Sequence, residues 1–191
     1  MTTVVALLRS INVGGRNRLP MADLRDLVAS LGFGDVQTYL QSGNVVFTAT
    51  DPAAGVGAAL EDGIRARMGL EVPVIVRTAP QLARLVAANP YAGIGADPKT
   101  VHVTFLARAP DAAHRAELAR LAAESGPAGA FGDDRFTPAG PDVYLYCPGG
   151  YGETKLTNTF MERRAGRVAT TRNWRTVVTL AGMAGIEVPG E

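Results

Sequence analysis

Between an apolar run at residues 3–9 and a helical pattern that begins at residue 21 lies the segment Ser10-Ile11-Asn12-Val13-Gly14-Gly15-Arg16-Asn17-Arg18. Two adjacent glycines let backbone N–H groups converge on an anion, and the asparagine and arginine side chains add donors around that nest. Such chemistry suits a phosphate. The spacing matches neither the Gly-x-Gly-x-x-Gly of a dinucleotide fold nor the Gly-x-x-x-x-Gly-Lys-[Ser/Thr] of a triphosphate loop. A plain polar crossover that needs glycine for its turns is the competing reading.

A second candidate runs from Cys147 through Pro148-Gly149-Gly150-Tyr151-Gly152-Glu153-Thr154-Lys155-Leu156 to Thr157, out of a strand pattern and into a helical one. Free N–H groups and the dipole at a helix start attract anions, and Thr154 is expected as the N-cap. It is not a Walker motif. Counted from Gly149, Thr154 stands where the second glycine belongs, and Leu156 replaces the magnesium-holding hydroxyl. Lys155 offers a point charge to an anion or to solvent. The third candidate is Ala169-Thr170-Thr171-Arg172-Asn173-Trp174-Arg175. Trp174, Val177, Val178 and Ala181 share helical spacing, so Trp174 reads as a core anchor. Thr170 or Thr171 is expected to cap that helix, with Arg172 and Asn173 pointing away from the tryptophan.

Catalytic constellations are weak. His102 alternates within a strand pattern and His114 lies in an alanine-rich helix pattern, and neither has an acid or metal-ligand partner at an informative spacing. Asp133-Asp134 and Glu61-Asp62 are adjacent acids, which do not face one another and read as solvated charge. Cys147 stands alone, so neither an intrachain disulfide nor a thiolate zinc cluster can form, which fits a reducing, cytoplasmic compartment. Its thiol reads as inert. No metal site is expected, and no cofactor is named by any motif.

Charge placement says more than the total. Nineteen basic and 18 acidic residues leave a net +1 over 191 residues, so no global field draws the chain onto nucleic acid or membrane. Locally, Arg9, Arg16 and Arg18 give residues 9–18 a net +3 without an acid, and residues 153–175 carry a net +4. Lys99 and Lys155 are the only lysines, leaving 17 arginines, whose planar forks fit carboxylate or phosphate. With 47% hydrophobic and 19% charged residues the chain suits one compact domain or two small ones, and no apolar run approaches the roughly 18 residues of a membrane span. No signal peptide is expected ahead of the first strand.

These segments need elements to hold them. Leu24, Leu27, Val28 and Leu31 lie on one helical face and Gly32 stops it, which predicts a helix over 21–31. Short β-rich runs at 35–40 and 44–48 flank Gln41-Ser42-Gly43, the pattern of a hairpin whose glycine takes a positive φ. A helix over 52–68 and a strand over 72–77 complete β-α-β-β-α-β, the ferredoxin-like order. After a helix at 80–88 and a linker at 89–98, the order repeats: strand 100–107, helix 111–124, strands 131–137 and 142–147, helix 155–164 and an extended piece at 167–171. A final helix is expected over 173–184. The expected fold is α+β, with two ferredoxin-like halves, an extra C-terminal helix, and helices on one face of each sheet. The expected organisation is an N-terminal half at 1–78, a helix and linker at 79–98, and a C-terminal half at 99–191.

Residues 7–47 together with Glu153–Phe160 and Ala169–Val177 carry a resemblance to a bacterial family known as a domain of unknown function, DUF1697. Its signatures are the Arg9–Arg18 loop, the Gln41-Ser42-Gly43-Asn44 turn, Lys155-Leu156-Thr157 and Thr170-Thr171-Arg172-Asn173-Trp174. The resemblance spans essentially the whole chain and implies no reaction, substrate or cofactor. Ser10 departs from it, standing where many relatives place glycine.

The family segments are the same loops that charge and glycine placement single out. The expected ligand-binding set is therefore Arg9, Asn12, Gly14, Gly15, Arg16, Asn17, Gln41, Ser42, Asn44, Lys155, Thr171, Arg172 and Asn173, converging in one basic cleft between the halves. Three readings stay open. One is a binding module for a phosphate-bearing ligand, a nucleotide-like small molecule being preferred over RNA because aromatics make up only 6% of the chain. Another is an enzyme that stabilises anionic charge, with Ser42, Thr157 or Tyr151 as acid or base. The last is a structural or regulatory interaction module without a ligand, monomeric or homodimeric.

Overall fold

A computed structural model describes residues 1–14, 17–50, 55–92, 97, 99–127 and 129–188. The chain forms β1 (Thr2–Leu8), α1 (Met21–Ser30), β2 (Gly34–Tyr39), β3 (Asn44–Ala49), α2 (Val56–Met68), β4 (Val74–Thr78) and α3 (Ala79–Ala87). There follow β5 (Val101–Leu106), α4 (Ala112–Ala123), β6 (Arg135–Ala139), β7 (Asp142–Tyr146), α5 (Asn158–Ala165), β8 (Ala169–Asn173) and α6 (Trp174–Met183). One compact unit comprises Met1–Arg84 with the segment from Leu180 onward, and the other comprises Leu85–Thr179. Among the described residues no helix is long and apolar enough to cross a membrane.

Each unit holds a four-stranded antiparallel sheet, ordered β2-β3-β1-β4 in the first and β6-β7-β5-β8 in the second. Both are ferredoxin-like. In the first, Val4, Ala6 and Leu8 point to the same side as Val45 and Phe47, where Leu24, Leu27 and Val28 of α1 and Leu60 and Ile64 of α2 pack on them. In the second, Leu106, Val143 and Leu145 meet Leu118 and Leu121 of α4 and Met161 of α5. The opposite alternation is buried too: Val5, Leu7, Val46 and Ile75 in one sheet, Val103, Phe105 and Tyr144 in the other. That double burial explains why β1 reads as a continuous apolar run rather than as an alternating one.

The repeat extends to single hydrogen bonds. Leu8 N–H donates to the Gly43 carbonyl at 2.8 Å and Arg9 N–H to Pro73 at 2.9 Å, and their counterparts are Leu106 to Pro141 at 2.8 Å and Ala107 to Val168 at 2.9 Å. Val5 is the register partner of Arg77, and Val103 of Arg172. Both arginines are buried, 4% and 8% exposed, and each folds back on the carbonyl of its preceding residue.

Some local expectations change. Helix α5 begins at Asn158, with the Thr157 hydroxyl accepting from Phe160 N–H at 3.2 Å, so Thr154 is not the cap. Thr154 instead donates to Asp134 and accepts from Leu156 N–H, which also takes Asp134 out of the solvated pair. Glu61 likewise accepts from Val74 N–H at 2.8 Å. Strand β6 starts only at Arg135, because Gly129 and Gly132 first close a small bridge of their own. Helix α2 starts at Val56, and positions 51–54 lie outside the described residues. Strand pairing carries β8 to Asn173, whose side chain, rather than that of Thr170 or Thr171, accepts from Thr176 N–H at 2.8 Å. Trp174 is only half-buried at the first position of α6, while Val177, Val178, Leu180 and Ala181 are buried.

Candidate functional site

Register decides where the polar segments meet. Leu7 pairs with Asn44, so the start of β3 lies beside the end of β1, and the Arg9–Pro20 loop and the β2–β3 turn share one end of the first unit. Asn12 ties them together. Its Nδ2 donates to the carbonyls of Leu19 at 2.9 Å and Gln41 at 2.8 Å, and its Oδ1 accepts from Leu19 N–H at 2.9 Å. Asn12 N–H donates to Asn17 O at 3.1 Å, and Asn17 Nδ2 to Ser10 O at 3.0 Å. The Arg9 guanidinium donates to Ser10 Oγ. Across the turn, buried Asn44 donates to Tyr39 O at 2.7 Å and to Ser42 Oγ at 3.1 Å. Gly43 completes the junction at φ +76°, so close to Leu8 and Ile11 that a Cβ would lie 2.5 Å from Ile11 Cδ1.

The backbone at this end is strained. Ser10, Asn12, Asn17 and Leu40 are four of the five non-glycine residues with positive φ among the described residues, and Gly14 joins them at +58°. Each such non-glycine residue costs of order 1 kcal/mol or more and persists only where its surroundings fix it. The junction frames a depression of about 420 Å³ lined by Asn12, Arg18, Leu19, Gln41 and the start of α1 from Pro20 to Ala22. Pro20 supplies no side-chain cap, and the first intrahelical bond runs from Leu24 N–H to Pro20 O. The N–H groups of Met21, Ala22 and Asp23 therefore precede the helical ladder, and the partial positive charge they leave at this mouth is shared with the Asp23 carboxylate of the same turn.

Of the expected set, the first unit thus brings together Arg9, Asn12, Gly14, Asn17, Gln41, Ser42 and Asn44; Gly15 and Arg16 lie outside the described residues. Asn12, Asn17 and Asn44 spend their amides on the loop itself. Arg18 and Gln41 are exposed and line the depression. Arg18 and the uncapped α1 start were not in the expected ligand set. The signal for the latter is Leu19-Pro20 ahead of the helix, where Ser, Thr, Asp or Asn would ordinarily stand.

The remaining expected residues lie in the second unit. Lys155 is exposed, 3.5 Å from the Ala130 carbonyl. The Thr171 hydroxyl bonds both Thr104 Oγ1 at 2.8 Å and Asn158 Oδ1 at 2.7 Å, and Asn173 caps α6. Arg172 donates to Thr170 Oγ1 at 2.8 Å and Thr171 O at 3.0 Å, and burial lowers its guanidinium to about 10, against an opposing pull from Tyr151. Burial likewise pushes the Cys147 thiol up to about 11. His102 is buried, stacked 4.7 Å from the Tyr151 ring, with Nδ1 unpartnered. His114, unlike the sequence expectation, does have an acid partner: Asp111 caps α4 and its Oδ1 lies 2.8 Å from His114 Nδ1. Among the described residues no group of three or more His, Cys, Asp or Glu side chains could hold a metal ion.

Two antiparallel βαββαβ sheets in tandem, with a further C-terminal helix, define the class: an α+β protein of two ferredoxin-like halves. The family model described as "Protein of unknown function (DUF1697)" matches residues 1–144, and the chain belongs to that family. Among solved structures, the conserved bacterial protein SP0830 from Streptococcus pneumoniae is similar with a TM-score of 0.73 and 21% identity, covering 96% of this chain and 98% of its own. That likeness concerns the fold. The comparison with curated proteins finds no match.

Proposed function

We propose that the protein binds a small phosphate-bearing ligand, nucleotides included, in the depression at the start of α1. The observation that carries this reading is an internal comparison. The second unit makes the same strand-to-helix connection with five residues, Ala107–Asp111, and caps α4 with the Asp111 side chain. The first unit uses twelve, Arg9–Pro20, holds several in the left-handed region and leaves α1 uncapped. A ferredoxin-like half does not need that elaboration to fold. Arg18 and Gln41 supply side-chain donors, the Met21 and Ala22 N–H groups supply the anion-attracting helix start, and Asn12 holds loop and turn in register.

A thermal-shift screen of nucleotides, phosphorylated metabolites and short RNAs tests it. Ligand at 100 times its dissociation constant stabilises the native state by about 2.7 kcal/mol. A shift lost in Arg18→Ala is expected; no shift with any ligand, or one that survives that change, contradicts the reading.

A second reading, a protein-binding surface at the same end, draws on Val13 and Leu40, which are 66% and 52% exposed. Binding by apolar contact does not weaken with salt, whereas phosphate binding does.

A further inference from the structure

At the opposite end of β1 the first unit has another concavity, built from the bulged edge strand β2 and the last turn of α6. We propose that it is a binding site for a small organic cation, specifically a primary ammonium group. The space is about 260 Å³, and Thr3, Asp35, Gln37, Thr48, Met183 and Gly185 are among its lining residues. The volume lies at the small end of ligand pockets.

Three observations give it its sign. Among the described residues Asp35 is the only charged one lining the space, and no basic residue does so. Helix α6 points its C-terminal end at it with no basic residue in the last turn, so the partial negative charge there is not met by a side chain of the helix. Ala184, Gly185 and Ile186 N–H groups close onto the carbonyls of Leu180, Ala181 and Gly182, which leaves Met183 O without an acceptor role among the described residues.

Asp35 is also held ready. The β2–β3 register shifts between Gly34 and Gln37, and Asp35 takes φ +50° inside the strand. Bulges of this kind re-aim side chains. Thr48 Oγ1 donates to Asp35 Oδ2 at 3.2 Å, leaving Oδ1 without a partner among the described residues. Only glycine at position 34 permits that contact, since a Cβ there would lie 2.7 Å from Thr48 Oγ1. A carboxylate oxygen, the Gln37 amide oxygen and the Met183 carbonyl match the three N–H donors of a primary ammonium. A divalent metal would want more carboxylates than this single one.

Titration of the full chain with butane-1,4-diamine at constant ionic strength, followed by 1H–15N spectra, tests the site. Saturable shifts are expected at the amides of Gln37, Thr48 and Gly185, with potassium and magnesium failing to reproduce them. Asp35→Asn keeps the left-handed backbone and an oxygen for Thr48, yet should weaken the affinity about tenfold or more through loss of the charge. Gln37→Ala, at an exposed position, should weaken it less. Absence of saturable shifts up to about 50 mM amine, far above any specific millimolar affinity, would overturn the proposal. So would shifts unchanged in Asp35→Asn, or a response to magnesium in place of the amine.

Discussion

Asn12 Nδ2 lies 2.8 Å from the carbonyl oxygen of Gln41, 29 residues away, and that bond locks the long β1–α1 loop to the β2–β3 turn. With its two further bonds to Leu19 it makes Asn12 the pin of the candidate site.

Replacing Asn12 by Asp keeps a residue type that tolerates φ +53° and an oxygen for Leu19 N–H, but removes both donated bonds. Urea denaturation should show a loss of about 1–3 kcal/mol. Asn12→Gly removes all three side-chain bonds without backbone strain and should also cost about 1 kcal/mol or more. If it is instead neutral, the pin is not stabilising.

Gly43 and Gly14 form a matched pair. Both have positive φ, but a Cβ at Gly43 would collide with Leu8 and Ile11, whereas one at Gly14 meets nothing within 4 Å. Gly14→Ala should cost about 1 kcal/mol from backbone strain alone, and Gly43→Ala about 2 kcal/mol or more on top of that. Equal losses in denaturation would contradict the close approach of turn and loop.

His102 gives stability a pH dependence. Its pKa is lowered from 6.5, chiefly by burial, with the Thr100 carbonyl opposing. The unfolded chain therefore binds the proton more readily. The stability His102 contributes is present above pH 6.5 and is lost as the pH falls from there through the folded value, with a slope of at most about 1.4 kcal/mol per pH unit. Denaturation midpoints of the native chain and His102→Phe between pH 7.5 and 5.5 should diverge on the acid side. Parallel curves would mean the imidazole is not held neutral.

Cys147 should be inert. It is fully buried and its thiol is raised to about 11, so at pH 8 only about one molecule in a thousand carries the reactive thiolate. A chromogenic disulfide reagent should label it only after unfolding, one thiol per chain. Rapid labelling of the folded protein would show that its strand end opens.

Much of the fold is legible in the sequence because the local signals agree. Leu24, Leu27, Val28 and Gly32 mark a helix and its end, the apolar runs mark the central strands, and the order βαββαβ, found twice, names the topology. The site is less legible because residue type does not reveal depth or partners. Arg172 reads as a ligand-binding cation, yet its register opposite Val103 buries it. Asn12 reads as a ligand donor, yet the pairing of Leu7 with Asn44 brings Gln41 within its reach and consumes its amide. Asn173 reads as part of the helix, yet pairing with His102 keeps it in β8, where its side chain becomes the cap. Each of these depends on strand register, a long-range property.

The most direct test of the proposed site is a 1H–15N titration of the native chain with inorganic pyrophosphate. The proposed function predicts saturable shifts centred on the Met21 and Ala22 amides and on Gln41, weakened about tenfold in Arg18→Ala, as loss of a charge-assisted contact implies. Shifts that avoid the start of α1, or a titration that never saturates, would contradict it.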